Sequence, residues 1–492
     1  MNSIEIKRLA LGALAMGLAA TAGQGMAEPP PPGAVQAISA QDKAEGAKAN
    51  PELVAEYGGA LSGPQANYVE SVGKTIAVQS GLSNARGDFH VTLLNSSVDN
   101  AFAIPGGYIY VTRQLVGLMN NEAELAAVLG HEVGHVAAQH SKKRQSAATR
   151  NTIIGLLGSV LSGVFLGNGA AGEVGRKIFS QGSQLLTLSY SRAQETEADN
   201  LGIGYLARAN YDPRAMSTVL LSLARQNALD AQLMGTSSQL PAWASTHPDP
   251  ASRVRSALAR AGTLATGVTN REPFLRAVDG LMYGDDPHQG VIEGRRFIHP
   301  DLRIVFEAPN GYSLVNGARS VTITGQAGKG EFSTASYSGD LAAYITSVFN
   351  GLTQKGETTI APAAIQRTTI NGLPAAVGTA QVPSGSGRLD VVVFAYELSS
   401  TQAYHFLTIS TAGSASQFNG MFGSFRRASA SEAVAVRARR IAVVTVKPGD
   451  TLQSLAARMA YAGSAMERFL VLNGLDATSR LEPGQKVKIV TY

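Results

Sequence analysis

The five residues His131 to His135, HEVGH, have the types and the spacing of a metal site on a helix. At about 100° per residue the two histidines stand one turn apart on one helix face, so they can share an ion. Glu132 lies beside them without pointing at that ion, which suits a general base acting on water. Catalytic zinc uses three protein ligands and keeps a position for water, so the pattern predicts a third ligand elsewhere in the chain.

The third ligand is predicted on a downstream helix. Glu195 and Asp199 stand four residues apart, so they share a helix face. With Glu195 on the metal, Asp199 can accept the ring N–H of a ligand histidine and fix its tautomer. Glu197 is the competing ligand, ranked second because no carboxylate follows it four residues later. His140 comes nine residues after His131, and helical periodicity predicts that it points away from the site.

Composition narrows the classes of function. The 492-residue chain contains no cysteine, which excludes thiol nucleophiles, disulfides and cysteine-ligated zinc. A hydrophobic content of 44% and 16% charged residues predict a globular chain of two to four domains. The net charge of +5 gives little support for a nucleic-acid partner.

The N-terminal residues have the layout of a signal peptide. Lys7 and Arg8 precede the apolar run LALGALAMGLAATAG, and small residues end the segment at Ala27. We therefore expect residues 1–27 to be cleaved and the chain to be periplasmic, with no transmembrane span in the mature form. The Pro- and Ala-rich residues 28–62 are interpreted as a linker or a loose wrapping arm.

The elements around the motif predict one mainly helical domain over residues 63–262. A helix, a strand and a β-hairpin turning at Pro105 precede the metal helix, which Asn121 is expected to cap. The apolar run Thr152 to Leu166 is short for a membrane span, and a buried helix is favoured over a lid or a membrane-surface contact. The whole chain is expected to be α+β in class.

Four ordered motifs carry a family resemblance: NAFAIPGGYIYV, HEVGH, SRAQETEAD and THPDPASR. Together they resemble the HtpX- and BepA-like zinc peptidases, the gluzincins of metallopeptidase family 48. The resemblance implies a zincin-type fold, one Zn²⁺ per chain and Glu195 as the third ligand. It also implies that His247 lies near the metal and that Arg253 supports the site. His247 either stabilises an oxyanion or occupies the open zinc position at rest; a loop histidine beside Pro248 is the structural alternative.

A substrate-binding strand is predicted next to this site. If it forms an exposed edge strand, its backbone can pair with an extended peptide and tolerate many sequences. An ordinary hairpin without a substrate role is an equally open interpretation. The residues concerned are Asn100, Ala101, Phe102 and Ala103.

Two further units are expected after the first domain. Residues 263–289 are interpreted as a linker, and residues 290–427 as an α+β module of unknown role with one helix at Asp340 to Gly351. Residues 428–440 form a linker whose basic run, Arg437, Arg439 and Arg440, is interpreted as solvated.

Residues 441–492 are predicted to form a small βααβ unit. The segments GDTL, LNGL and LEPGQKVKI resemble a LysM domain over nearly the whole unit. This resemblance implies binding to peptidoglycan near the cell wall; a plain structural cap is the alternative. BepA-type proteins carry helical repeats after the protease, and no such repeat is visible here, so their partners are not transferred.

Together these patterns predict a periplasmic zinc metalloendopeptidase that hydrolyses misfolded or envelope proteins. Glu132 is the expected base, and the substrate is a protein or peptide. A peptidoglycan hydrolase is one alternative, although the HxH element of cell-wall endopeptidases is absent. A zinc-binding chaperone or scaffold with an inactive site is the other.

Overall fold

The structure is a computed structural model. It describes residues 38–140, 190–234, 247, 249–352, 360–384 and 387–492. The predicted signal segment 1–27 and the apolar run 152–166 lie outside the described residues. Among the helices that are described, none has the length and apolar character needed to cross a membrane. Helices and several sheets are present, which confirms the α+β class.

A three-stranded sheet supports one side of the first domain. Its strands are β1 (His90–Leu94), β2 (Ala101–Ile104) and β3 (Tyr108–Thr112), in the order β1-β3-β2. Strand β3 is parallel to β1 and antiparallel to β2. The predicted hairpin is therefore present, and its turn uses Gly106 and Gly107 at φ 93° and 88°, a region that glycine adopts readily. Within the described residues β2 is an edge strand.

Helices pack on this sheet and form the core of the domain. They are α2 (Pro64–Ala77), α3 (Arg113–Leu118), α4 (Glu122–Ala137), α5 (Arg192–Arg208), α6 (Ala215–Met234), α7 (Pro250–Ala261) and α8 (Arg271–Val278). Helix α8 lies within residues 263–289, predicted to be a linker; that prediction is wrong, because Phe274 and Leu275 are buried in the core of this domain. Asn121 caps α4, as expected, because its side chain accepts the N–H of Glu124. Most of α4 is buried, including both histidines of the motif.

Helices α4 and α5 cross with their main chains in contact. A Cβ atom added at Gly134 of α4 would lie 3.1 Å from the carbonyl oxygen of Ala198. One added at Gly202 of α5 would lie 3.1 Å from the backbone nitrogen of His131. Both glycines therefore permit a closer approach than side chains would allow. The crossing brings the motif helix and the carboxylate helix face to face.

Residues 28–62, expected to be a linker, contain a packed helix. Helix α1 (Ala40–Glu56) is capped by Ser39 and lies on the β2–β3 hairpin. Leu53 and Tyr57 are buried against Ile104 and Tyr110. The interpretation as a linker is therefore wrong for this helix, whereas an arm that wraps onto the domain agrees with the structure. Three or four apolar side chains on one face suffice to dock a helix whose overall composition is polar.

The module predicted over residues 290–427 contains two antiparallel sheets. The strands are β4 (Val291–Glu293), β5 (Arg296–His299), β6 (Ile304–Glu307), β7 (Ser313–Asn316), β8 (Val321–Thr324), β9 (Gly328–Thr334), β10 (Ile365–Ile370), β11 (Leu373–Ser384), β12 (Gly387–Ser399), β13 (Gln402–Thr411) and β14 (Arg426–Arg427). The smaller sheet has the order β14-β6-β5-β4 and the larger β10-β11-β12-β13-β9-β8-β7. Helix α9 (Leu341–Gly351), predicted from Asp340, covers one face of the larger sheet. Aromatic residues such as Phe306, Phe332 and Phe406 fill the other face. Helix α10 (Asn419–Ser424) precedes β14 in the chain, and helix α11 (Ala430–Ala435) follows it.

The C-terminal unit has the predicted βααβ order. Strand β15 (Arg440–Thr445) pairs antiparallel with β16 (Lys486–Thr491), and helices α12 (Leu452–Ala456) and α13 (Ala465–Asn473) lie between them. The preceding basic run is only partly solvated, contrary to expectation. Arg439 lies 4.8 Å from the ring centre of Tyr461 and donates to the carbonyl of Ala460, because this stretch packs along the unit.

The C-terminal unit is packed against the first domain through what we call the interdomain seam: Lys488, Arg271 and Glu124 with the main chain of residues 117–120. The fully buried Lys488 donates to the carbonyls of Gly117 at 2.7 Å, Leu118 at 3.3 Å and Met119. Arg271 donates to the carbonyls of Asn120 at 2.7 Å and Lys486 at 3.0 Å. Glu124 accepts the N–H of Asn120 at 2.7 Å, so the seam meets the start of the motif helix.

Candidate metal centre

Three helices bring the predicted site residues together. Helix α4 carries His131 and His135, one turn apart and both buried. Helix α5 starts at a capping box made by Ser191 and Gln194, which places Glu195 in its first turn. His247 is buried just before α7, whose Asp249 cap fixes the start of that helix. Sequence order and local capping thus direct side chains from three segments to one point.

Four donor groups form the centre: His131, His135, Glu195 and His247, each with a ligand atom within 4.8 Å of the others. The Nε2 atoms of His131 and His135 are 3.0 Å apart, and Nε2 of His131 is 3.2 Å from Nδ1 of His247. Glu195 oxygens lie 3.4 Å from His135 Nε2 and 3.1 Å from His247 Nδ1. Tetrahedral zinc with bonds of about 2.1 Å separates its donors by about 3.4 Å. The donor set and its spacing therefore fit one zinc ion.

Asp199 and Arg253 lie beside the four donor groups. Asp199 Oδ1 lies 2.9 Å from Nδ1 of His131, which leaves Nε2 of that ring directed at the other donors. Arg253 donates to Asp199 at 2.8 Å and to Glu195. Burial alone would raise the pKa of Asp199, but the charge and hydrogen bonds of Arg253 outweigh it and the pKa lies below its usual value. Asp199 is therefore held as an anion.

Glu132 is buried beside the donor group but is not part of it. Among the described residues no hydrogen bond reaches its Oε1 atom, which lies 3.4 Å from Nε2 of His247. Burial, and then the charge of Glu195, raise the pKa of Glu132 well above its usual value. A cation among the four donors opposes both causes, because it favours the ionised carboxylate. An unsatisfied carboxylate oxygen at this place suits a proton acceptor for water.

His247 lies inside the donor group, which favours the metal-facing interpretation over a loop histidine. Its Nδ1 atom contacts His131 and Glu195, while its Nε2 atom faces Glu132. Burial lowers the pKa of His247 to about 4, so the ring is neutral and can offer a lone pair at neutral pH. The described site thus holds four protein donors, one more than the open catalytic site expected from the sequence.

The structure also reveals contacts that periodicity did not predict. Helix α4 ends at Ala137, and Gln139 adopts a left-handed φ of 53°, which turns the chain back. His140 is therefore buried against His135, with their Nδ1 atoms 2.8 Å apart, rather than pointing away. Tyr190 stacks on His135 at 3.7 Å between ring centres. The prediction for His140 was wrong because it assumed that the helix continues past Ala137. A residue that signals a turn at the end of the helix would have been needed to avoid this error.

Glu197, the competing ligand, lies outside the four-donor group. Its Oε2 atom is 3.1 Å from Nε2 of His140. The predicted substrate strand forms as β2, with Phe102 and Ala103 half-buried. Asn100 is buried and donates its side-chain amide to Tyr57 at 2.9 Å. A role of this strand in substrate binding stays a prediction.

Two crossed helices, a HExxH motif on the first, a carboxylate of the second among the four donors and a buried carboxylate beside them are typical of a zincin-type metallopeptidase domain. Comparison with known families agrees with this class. Residues 64–261 match Peptidase family M48, and residues 444–490 match the LysM domain. The chain therefore carries a family M48 peptidase domain, for which the cofactor is zinc, and a LysM domain. This confirms the resemblance seen in the motifs.

Individual relatives are similar to part of this chain. The β-barrel assembly-enhancing protease of Yersinia pestis is 33% identical over 44% of this chain and 44% of its own length. That of Escherichia coli strain K12 is 32% identical over 40% of this chain and 39% of its own length. The mitochondrial metalloendopeptidase OMA1 of Schizosaccharomyces pombe is 32% identical over 42% and 56% of the two chains. The chain thus spans less than half the length of the β-barrel assembly-enhancing proteases that it matches.

Proposed function

We propose that the protein is a zinc-dependent metalloendopeptidase that hydrolyses peptide bonds in protein substrates. The observation that carries the proposal is the spacing of the four donor atoms, with the unsatisfied oxygen of Glu132 beside them. The family M48 match and the names of the relatives support the same activity. Zinc bound there would supply Lewis acidity that polarises a carbonyl group and acidifies water.

The residues of the chain then have separate tasks. Glu132 accepts the proton of the attacking water and delivers it to the leaving amine. Asp199 holds the ring of His131, and Arg253 keeps Glu195 and Asp199 in place and Asp199 ionised. The free edge of β2 offers backbone groups to an extended substrate strand.

His247 is proposed to be the fourth ligand of a resting state. Its Nδ1 atom lies among the other donors, where a substrate carbonyl or water would otherwise be placed. Activity then requires His247 to leave the donor group. The contact of its other ring nitrogen with Glu132 means that its departure also frees the base.

Glu132→Gln tests the mechanism. We expect cleavage of an unfolded protein such as casein to fall about 10²- to 10⁴-fold, because the amide cannot accept the proton. Zinc content and unfolding temperature should match the parent protein. Glu70→Gln is the control, since Glu70 forms an exposed ion pair with Lys74. Unchanged cleavage in Glu132→Gln would contradict the mechanism.

The same preparations test the alternative functions. A peptidoglycan hydrolase would solubilise purified sacculi and leave casein intact. A chaperone or scaffold with an inactive site would suppress aggregation of an unfolded protein equally well with Glu132 or Gln at that position. Either result, with no casein cleavage by the parent protein, would replace the proposal.

We also propose that the protein is periplasmic, acts on misfolded or envelope proteins and binds peptidoglycan through its LysM domain. The charged and apolar pattern of residues 1–27 supports export, and the LysM match over residues 444–490 supports glycan binding. Cell fractionation with N-terminal sequencing should find a mature chain that starts near residue 28. Sedimentation with purified sacculi should retain the protein; a chain found only in the cytoplasm would contradict the localisation.

A further inference from the structure

A chain of two contacts connects ligand His135 to helix α5. Nδ1 of His135 lies 2.8 Å from Nδ1 of His140, and Nε2 of His140 lies 3.1 Å from Oε2 of Glu197. His140 is fully buried, and the side chain of Glu197 is one quarter exposed. Neither His140 nor Glu197 belongs to the four donors, so these contacts can support a ligand but do not themselves bind the metal.

The hydrogen positions in this chain follow from what each group can donate. A carboxylate only accepts, so Nε2 of His140 carries the proton that Glu197 binds. In the neutral ring Nδ1 of His140 is then an acceptor, and Nδ1 of His135 must donate to it. This leaves the lone pair of His135 on Nε2, the atom that lies 3.0 Å from Nε2 of His131 in the donor group.

His131, the other ligand on α4, is oriented by one direct contact, which also leaves its lone pair on Nε2. Asp199 accepts directly from Nδ1 of His131 at 2.9 Å. Both carboxylates come from α5, two residues apart, but Glu197 contacts His140 rather than His135 and reaches its ligand histidine through that ring. Tyr190, stacked on His135 with 19° between the rings, fixes the ring plane, and His140 fixes its rotation within that plane.

We propose that His140 and Glu197 form a positioning relay that fixes the tautomer and orientation of His135, so that its Nε2 atom is presented to zinc. The inference builds on the proposed function only in assuming that zinc is the resident metal. Removing a group of this kind typically weakens metal binding about 10- to 100-fold. The effect is on the ligand, so His140 and Glu197 are positioning residues.

Zinc affinity, measured by competition with a chromogenic chelator and without substrate, tests the relay. We expect His140→Ala to weaken zinc binding about 10- to 100-fold. In His140→Asn the amide oxygen occupies the place of Nδ1 and can still accept from His135, so affinity should return to within about threefold of the parent. The zinc affinity of Glu197→Ala, at a partly exposed position, should lie between those of His140→Ala and His140→Asn.

A matched control comes from the same chain. His288 and Asp301 also form a histidine–carboxylate pair at 2.8 Å, but their side chains are 81% and 55% exposed. His288 precedes β4, Asp301 lies between β5 and β6, and neither belongs to the four-donor group. His288→Ala should leave zinc affinity unchanged. If His140→Ala binds zinc like the parent, or if His140→Asn is as weak as His140→Ala, the relay is wrong.

A second measurement covers the case in which His140→Ala does not fold. ¹⁵N NMR of the metal-free parent should show His135 with its proton on Nδ1, and Glu197→Ala should show a mixture of tautomers. A proton on Nε2 of His135 in the parent would overturn the proposal. Both readouts are independent of peptide cleavage, so they stand even if the Glu132→Gln experiment fails to support a peptidase.

Discussion

The metal centre and the interdomain seam both bury charged residues, yet they differ in how these are satisfied. In the seam, the amine of Lys488 is surrounded by carbonyl oxygens, and Glu124 accepts hydrogen bonds from Asn120 and Thr218. In the metal centre, three imidazole nitrogens and a carboxylate oxygen all lie within 4.8 Å of one another, and Nε2 of His131 is 3.0 Å from that of His135. The charged groups of the seam find their partners within the protein, whereas the four donors of the centre converge on one point that a metal ion could occupy.

This difference separates structural burial of charge from functional burial. A buried charge that finds all its partners within the chain holds elements together. Donor atoms that converge on one point can instead bind a metal ion, whose binding free energy adds to the stability of the folded state. Stability measured with and without zinc should therefore distinguish the two regions, and variants in each should respond differently.

Arg253→Met is expected to have the largest effect. It removes the cation that contacts Glu195 and Asp199, leaving two buried carboxylates, and breaking such a network costs about 4 kcal/mol. Urea unfolding of the metal-free protein should show this loss, and zinc should restore part of it. Arg255→Met, exposed on the same helix, is the control. If zinc leaves the loss of stability unchanged, Arg253 stabilises the fold independently of the metal centre, as the seam residues do.

Lys488→Met should reduce the free energy of unfolding by about 3 kcal/mol, because carbonyls at the end of α3 lose their donor and Glu124 loses a nearby amine. Burial lowers the pKa of Lys488 well below its ordinary value, which already weakens its charge. The loss should be equal with and without zinc. Lys447→Met, exposed in the same domain, should cost almost nothing. A zinc-dependent loss would mean that the seam and the centre are one network.

Removal of zinc is expected to lower stability by about 2.7 kcal/mol relative to protein at a free zinc concentration 100 times Kd. Calorimetry in chelator and in buffered zinc would measure it. The same increment should appear in Lys488→Met, whereas His131→Ala should show none. An increment that persists in His131→Ala would mean that zinc stabilises the fold from another site.

Asp230 offers the smallest test, at the edge of the seam. Burial raises its pKa to about 6 from 3.8, although Gln226 donates to it and Arg468 of the LysM domain lowers it. The folded state therefore binds more protons between these values, so stability falls as pH rises from 3.8 through 6. Asp230→Asn should gain about 2 kcal/mol at pH 8, allowing for partial solvent screening, and nothing at pH 3. Asp301→Asn, exposed, is the control.

Sequence reasoning located the parts of the site that depend on local periodicity. His131, Glu132 and His135 follow from a helix that Asn121 caps, and Glu195 with Asp199 from the i, i+4 spacing on the next helix. The sequence did not indicate where helix α4 ends. The position of His140 depends on the left-handed Gln139, and no glycine signals a turn there.

Packing between distant segments was also beyond the sequence. The docking of α1 depends on a few apolar residues in a polar stretch, which periodicity does not separate from a linker. Lys488 is one of many lysines, and nothing in its neighbourhood of the sequence shows that its partners are 371 residues away. The βααβ order was predictable because turn and capping residues are local; the surface it packs against was not.

The sequence separation across the seam also sets an order of events during synthesis. The carbonyls of residues 117–119 can receive the amine of Lys488 only after 371 further residues of chain have left the ribosome. Until then the junction between α3 and the zinc-binding helix α4 must bind water in place of its final partner. A nascent chain therefore completes the support of its zinc-binding helix late, after the peptidase domain has been fully synthesised.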